Sequence, residues 1–218
     1  YIPDLLAIAG YYKDWAAIGG GLSGQNVMSY GEFPDKPNDY SNDSMLLPSG
    51  VILNGDLTKV YDVDLKDPAQ VQEWVSHSWY KYAGDAQDKG LHPFDGETEP
   101  NFVLGPNTKG SRTNIENIDE GAKYSWVKSP RWKGNPVEVG PLARYIVAYA
   151  RGNKEIKEQV DGALKALDVP ITALFSTLGR TAARGLECQW AAHKMRYFYD
   201  ELLANIKAGD LATANVEK

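Results

Sequence analysis

The chain has a single cysteine, Cys188, among its 218 residues. One thiol excludes an intramolecular disulfide and any C-x-x-C redox or metal motif. Histidine is scarce too, with only His77, His92 and His193. Cys188 and His193 lie five positions apart, which sets them about 140° apart around a helix, too far to share a metal easily. No run of eighteen apolar residues occurs, so no stretch is long enough to span a membrane as a helix. No signal-peptide pattern is visible either. Basic charge is in deficit: 23 Lys and Arg face 29 Asp and Glu, a net charge of −6 that argues against a nucleic-acid surface. A G-x-S-x-G elbow and a P-loop are missing, and no Ser-His-Asp order stands out.

What is present is ordinary for a globular chain, with 43% hydrophobic and 24% charged residues. The length allows one large domain or two small ones. The chain opens Tyr1-Ile2-Pro3 and stops at Val216-Glu217-Lys218 after a helix-like stretch, and is expected to be a fragment of a longer chain. The expected fold is α+β, a small antiparallel sheet region followed by long helices of a multi-helix bundle. Val27-Met28-Ser29-Tyr30 predicts a strand, and Asn54-Gly55 between apolar runs predicts a hairpin joining Val51-Ile52-Leu53 to the alternating segment 60–65. Residues 27–65 are therefore expected to form the sheet. Asp67-Pro68 predicts a helix start, with the helix spanning 67–83. Residues 84–140 predict a long covering loop, rich in Gly, Pro, Asp and Asn through residue 123. Pro141 predicts a helix closed by Gly152-Asn153, and Lys154 to Leu167 predicts a second. A third is predicted from Ile171 to about Lys207, roughly 55 Å long at 1.5 Å per residue. Residues 141–207 would thus supply bundle helices whose partners lie mostly outside this chain.

Five features could carry chemistry. Gly19-Gly20-Gly21-Leu22-Ser23-Gly24 matches G-x-G-x-x-G, but a strand-like segment follows where a nucleotide site needs a helix, so a loop is the better reading. Asp95, Glu97 and Glu99 stand near aromatic residues and could suggest glycoside hydrolysis, although a self-solvating acidic loop is the simpler account. Cys188, inside a helical pattern, is expected to be a small buried hydrophobe. Lys128, Arg131, Lys133 and Arg144 crowd one block and could hold an anion or bridge carboxylates such as Glu138. Arg180 and Arg184 share a helix face. A non-catalytic interaction module, with residues 84–123 as its docking surface, is a further reading.

The block itself is Lys128-Ser129-Pro130-Arg131-Trp132-Lys133-Gly134-Asn135-Pro136-Val137-Glu138-Val139-Gly140-Pro141-Leu142-Ala143-Arg144-Tyr145. It resembles a signature of the large subunit of the membrane-bound uptake nickel-iron hydrogenases at every fixed position. The resemblance extends to Tyr11-Tyr12-Lys13-Asp14-Trp15, Tyr30-Gly31-Glu32-Phe33, His77-Ser78-Trp79-Tyr80, Leu91-His92-Pro93-Phe94-Asp95-Gly96-Glu97-Thr98-Glu99-Pro100 and Leu178-Gly179-Arg180-Thr181-Ala182-Ala183-Arg184.

The resemblance implies a heterodimer that oxidises H2 at a Ni-Fe centre whose iron carries CO and cyanide. Electrons would pass to an iron-sulfur small subunit and on to a membrane cytochrome, with the complex peripheral to the cell membrane on its periplasmic face. It also implies two C-x-x-C ligand pairs, an early acidic motif with a proton-transfer glutamate and a later P-R-G motif. None of these is in this chain, which therefore looks like the middle of one large domain, with no catalytic, cofactor or metal ligand of its own. The isolated segment is expected to be inactive. Lys128, Arg131, Glu138, Arg144, His77 and His92 are expected to support the site structurally.

Overall fold

The computed structural model describes residues 2–21, 25–36, 39–81, 90–96, 99–100, 102–104, 116–118 and 123–212. The chain divides into two compact units, residues 20–154 and residues 1–19 with 155–218.

The first of these units is rich in strands. β1 (Val27–Pro34) and β2 (Met45–Ile52) pair antiparallel, Val27 opposite Ile52 and Pro34 opposite Met45. The Asn54-Gly55 turn has φ of 54° and 69°, the left-handed geometry that an Asn-Gly pair tolerates best. Beyond it the chain returns only as an isolated bridge, Tyr61 exchanging both backbone hydrogen bonds with Val51 at 2.9 and 2.8 Å. Of the sheet expected over 27–65, the paired strands are β1 and β2, and the expected hairpin strand over 60–65 reduces to the single Val51–Tyr61 bridge.

The helix predicted over 67–83 does not form. Asp67 does cap a single turn: its carboxylate accepts the Ala69 amide at 2.8 Å and its carbonyl accepts those of Gln70 and Val71. The chain then extends into β3 (Val71–Trp74), antiparallel to β6 (Ser129–Trp132). Tertiary pairing overrides the local start signal because Val71, Trp74 and Val75 favour a strand and the 129–132 edge supplies the ladder. The covering loop expected over 84–140 is likewise interrupted by strands: β4 (Phe102–Leu104) pairs with β5 (Glu116–Ile118), and β6 continues into β7 (Asn135–Pro136). The core here is Met28, Val51, Val71, Trp132 and Val137, all at most 5% exposed. α2 (Pro141–Ala150) packs on β1 and β2 and buries Leu142, Ala143, Tyr145, Ile146, Val147 and Ala148.

The second unit is helical. α1 (Ile2–Ala9) runs into a 3-10 segment, Gly10–Ala17. α3 (Lys154–Leu167) buries Ile156, Val160, Ala163 and Leu167, the face its periodicity predicts. Pro170 opens a short 3-10 turn, Ile171–Phe175, before α4 (Thr177–Lys207). The long helix thus starts later than its proline suggests. Ser176 is the true cap, its hydroxyl accepting the Gly179 amide at 3.0 Å. At 31 residues α4 is about 46 Å long. Ala9, Leu167 and Leu178 form a core joined by Leu6, Ala16 and Val169.

Candidate functional site

The block 128–145 folds as a clamp in the strand-rich unit. Lys133 and Gly134 have φ of 47° and 79°, so β6 and β7 are joined by a two-residue turn of the left-handed kind that matches strand twist. Val137 then enters the core, and Glu138 bridges to β1. Its amide donates to the Asn26 carbonyl at 2.9 Å and its carbonyl accepts the Met28 amide at 2.9 Å. Gly140, at φ 112°, turns the chain into α2, and Pro141 takes a first-turn position where a missing N–H costs nothing.

The predicted residues are each engaged within this frame. Lys128 Nζ lies 3.3 Å from Glu73 Oε2, with side-chain exposures of 16% and 25%, and 5.3 Å from the centre of the Tyr80 ring. Arg131 donates to the Pro130 carbonyl at 3.0 Å. Arg144 Nη1 meets Glu32 Oε1 at 3.1 Å. Burial, and secondarily the charge of Glu73, push the Tyr30 hydroxyl above its ordinary pKa. His92 is buried: Nε2 lies 2.7 Å from the Leu65 carbonyl, while Nδ1 accepts the Phe94 amide at 3.2 Å. That pairing places the proton on Nε2. His77 is exposed and stacks on Tyr124 at 5.7 Å.

Three residues hold the frame together, and sequence reasoning passed over two of them, Asn26 and Arg151. Asn26 is 8% exposed; its Nδ2 donates to the Pro136 carbonyl at 3.0 Å and its Oδ1 accepts the Asn54 amide at 2.8 Å. Arg151 donates from Nε to the Ser49 carbonyl at 2.8 Å and from Nη2 to Asp62 at 2.6 Å. Gly50 makes room for it, since a Cβ there would lie 3.2 Å from Arg151 Nη2 and 2.7 Å from Val60. Asn153 completes the α2 terminus. Its amide bonds the Ala148 carbonyl and that of Gly152 the Tyr149 carbonyl, a Schellman close, and its side chain donates to Leu46 at 3.1 Å. Only the Gly-Asn closure was visible in sequence.

Among the described residues the acidic loop makes no hydrolytic pair. Asp95 and Glu99 are exposed, and Glu97 lies outside the described residues. The hydrogen bond from Lys81 at 2.7 Å, then its charge, hold the Glu99 carboxyl below the usual carboxylate range, opposite to what a proton donor needs. Cys188 is exposed, contrary to the expectation of burial. Leu186 and Trp190 face inward, and a residue two positions from each projects about 200° away on a helix.

A sequence profile described as nickel-dependent hydrogenase matches residues 1–218. The chain belongs to that family. It is 61% identical over its full 218 residues to an uptake hydrogenase large subunit from Rhizobium leguminosarum bv. viciae, of which it spans 36%. It is 51% identical to the hydrogenase-1 large chain of Escherichia coli K12, again spanning 36%. Among solved structures it is similar to the Ni-Fe-Se hydrogenase of Desulfomicrobium baculatum in a reduced, active form, with a TM-score of 0.60 and 27% identity over all of this chain and 38% of that one. The chain thus spans about a third of the length of the curated relatives it matches.

The donor set of these residues does not fit a nickel-iron centre. Soft, low-valent metals take thiolates, and the one thiol is an exposed residue beside no second cysteine. Among the described residues no three His, Cys, Asp or Glu side chains are placed to share a metal ion. The clamp does something else. It pairs β6 with β3 and β7, ties that sheet to β1 through the single Val27–Glu138 bridge, and leads into α2, which packs on the β1–β2 ribbon.

Proposed function

We propose that these residues are the central segment of one large domain in the large subunit of an uptake nickel-iron hydrogenase. The whole subunit oxidises H2 to protons and electrons at a Ni-Fe centre whose iron carries CO and cyanide. Electrons leave through an iron-sulfur small subunit to a membrane cytochrome, and the complex lies peripherally on the periplasmic face of the membrane. The metal ligands lie outside residues 1–218. Lys128, Arg131, Glu138 and Arg144, with His77 and His92, serve as scaffold around the site and carry no chemical step. The 61% identity maintained over every residue of this chain supports the reading most strongly. The engagement of the signature cations by Glu73, Glu32 and backbone carbonyls supports the scaffold role.

The test is to purify the native protein from its source and assay H2-dependent reduction of a viologen dye alongside its intact mass and nickel content. The expected result is a chain close to three times this length that contains nickel and reduces the dye, while the purified 218-residue chain alone holds no nickel and is inert. Stoichiometric nickel in the 218-residue chain would overturn the assignment of ligands elsewhere.

A further inference from the structure

The turn that follows β2 has Asn54-Gly55 as its middle pair. Asparagine followed by glycine deamidates readily, since glycine puts no Cβ in the path of the ring that forms and asparagine is thermolabile. The reaction is intramolecular. The Gly55 amide gives its proton to hydroxide, and its nitrogen attacks Asn54 Cγ. The N–Cγ bond forms, the bond to the side-chain nitrogen breaks, and ammonia leaves. Water then opens the cyclic imide at either carbonyl to give aspartate or isoaspartate. In isoaspartate the backbone runs through the side chain and is longer by a methylene.

Half of what this reaction needs is present. Asn54 is exposed, and among the described residues nothing holds its side-chain amide. The backbone is the opposite case, with three successive N–H groups engaged. Asn54 donates to Asn26 Oδ1 at 2.8 Å, Gly55 to the Gln25 carbonyl at 3.0 Å and Asp56 to the Leu53 carbonyl at 3.1 Å. The second of these nitrogens is the nucleophile. Its proton is committed to Gln25, and the nitrogen reacts only when that bond opens.

Both outside restraints come from residues 25–26. Gln25 has φ of 62°, a conformation that a non-glycine residue keeps only where its surroundings impose it. Asn26 is 8% exposed and anchored on its far side, through Nδ2 to the Pro136 carbonyl at 3.0 Å and through its own carbonyl to the Glu138 amide at 2.9 Å. The turn is therefore strapped to the block that carries the family signature.

We propose that Asn54 is a latent modification site. The Gln25–Asn26 strap preserves it as asparagine in the folded protein, and it converts to isoaspartate when the strap opens. The lengthened backbone does not fit the Asp56-to-Leu53 bond in its present geometry, and the new carboxylate lies two positions from Asp56. Isoaspartate at position 54 thus records that the strand-rich unit has opened. The proposal stands on residues 25–56 and 136–138 and is independent of the hydrogenase reading.

The test incubates the native full-length protein, and the same protein unfolded in urea, side by side in mildly alkaline buffer. Isoaspartate is counted by enzymatic methylation and assigned by fragmenting the tryptic peptide Asp14 to Lys59, which stays whole because Pro37 follows Lys36. The expected result is conversion of Asn54 at least about tenfold slower in the native protein, as for a group that reacts only from an opened state. Asn26→Ala, in a protein that still folds, should bring the native rate most of the way to the unfolded one. Equal rates in native and unfolded wild type overturn the proposal. A folded Asn26→Ala protein as slow as the wild type overturns it too, because the protection then comes from some other cover. If Asn26→Ala does not fold, hydrogen exchange in the native wild type decides. The Gly55 amide should be protected by the same factor that slows deamidation, and an unprotected Gly55 amide beside slow deamidation overturns the proposal.

Discussion

The clamp of residues 128–145, taken with Asn26, Arg151 and Asn153 that brace it, and the distal half of α4 use their side chains in opposite ways. In the clamp, Lys128, Arg144, Arg151, Asn26 and Asn153 find partners within their own unit. In the distal half of α4, Met195, Tyr199, Leu202 and Ile206 stay exposed. The contrast teaches where a signature block is self-sufficient and where a segment depends on more polypeptide. A frame whose charged side chains pair within its own unit sets geometry for a neighbour, whereas an apolar helix face needs one.

Substitutions can sharpen or break this contrast. Trp190→Ala should have the largest effect. It empties a site 1% exposed and removes the Nε1 bond to Glu155 at 3.2 Å, although Glu155 keeps Lys194 at 3.0 Å. The expected loss is about 3–5 kcal/mol in denaturant unfolding. Leu202→Ala should divide by context: within about 0.5 kcal/mol in the 218-residue chain, but a loss of about 2–4 kcal/mol in the full-length subunit. Equal effects in both would erase the difference between the regions. In the clamp, Arg151→Ala should cost about 1–3 kcal/mol by leaving the Ser49 carbonyl without its charged donor. Asp62→Ala, at the exposed end of the same contact, should cost at most about 1 kcal/mol.

Two further changes are smaller. Lys133→Asn should stabilise by roughly 0.5 kcal/mol, because Asn tolerates the left-handed first position of the turn better than Lys. The hydroxyl and then the amide of Thr58 hold the exposed Asp56 carboxyl below its ordinary range. A depressed folded-state value contributes stability above the unfolded pKa and loses it as pH falls through the folded one. Asp56→Asn should therefore flatten the loss of stability below about pH 4, read as a shallower Tm against pH.

The elements legible in sequence were those fixed by nearby residues. Pro141 and Gly152-Asn153 bound α2, and the apolar period of 154–167 defines the buried face of α3, because caps and periodicity act within a few positions. The helix expected at 67–83 was wrong because its competitor, the 129–132 edge, lies some sixty residues away along the chain. The partners of Asn26 and Arg151 are as remote: Pro136 is 110 positions from Asn26, and Ser49 is 102 from Arg151. No local pattern encodes such pairs. The inward or outward choice at Cys188 depended on Leu186 and Trp190 taking the inner side, which a helix apolar on two sides does not reveal.

The most direct test of the central claim, that these residues scaffold a metal site whose ligands lie elsewhere, is nickel counted per chain in the full-length subunit carrying Cys188→Ala. The account predicts nickel equal to that of the wild type, since the only thiol within residues 1–218 is not a ligand. Loss of nickel from a folded, full-length variant would contradict it and place the metal centre within this segment.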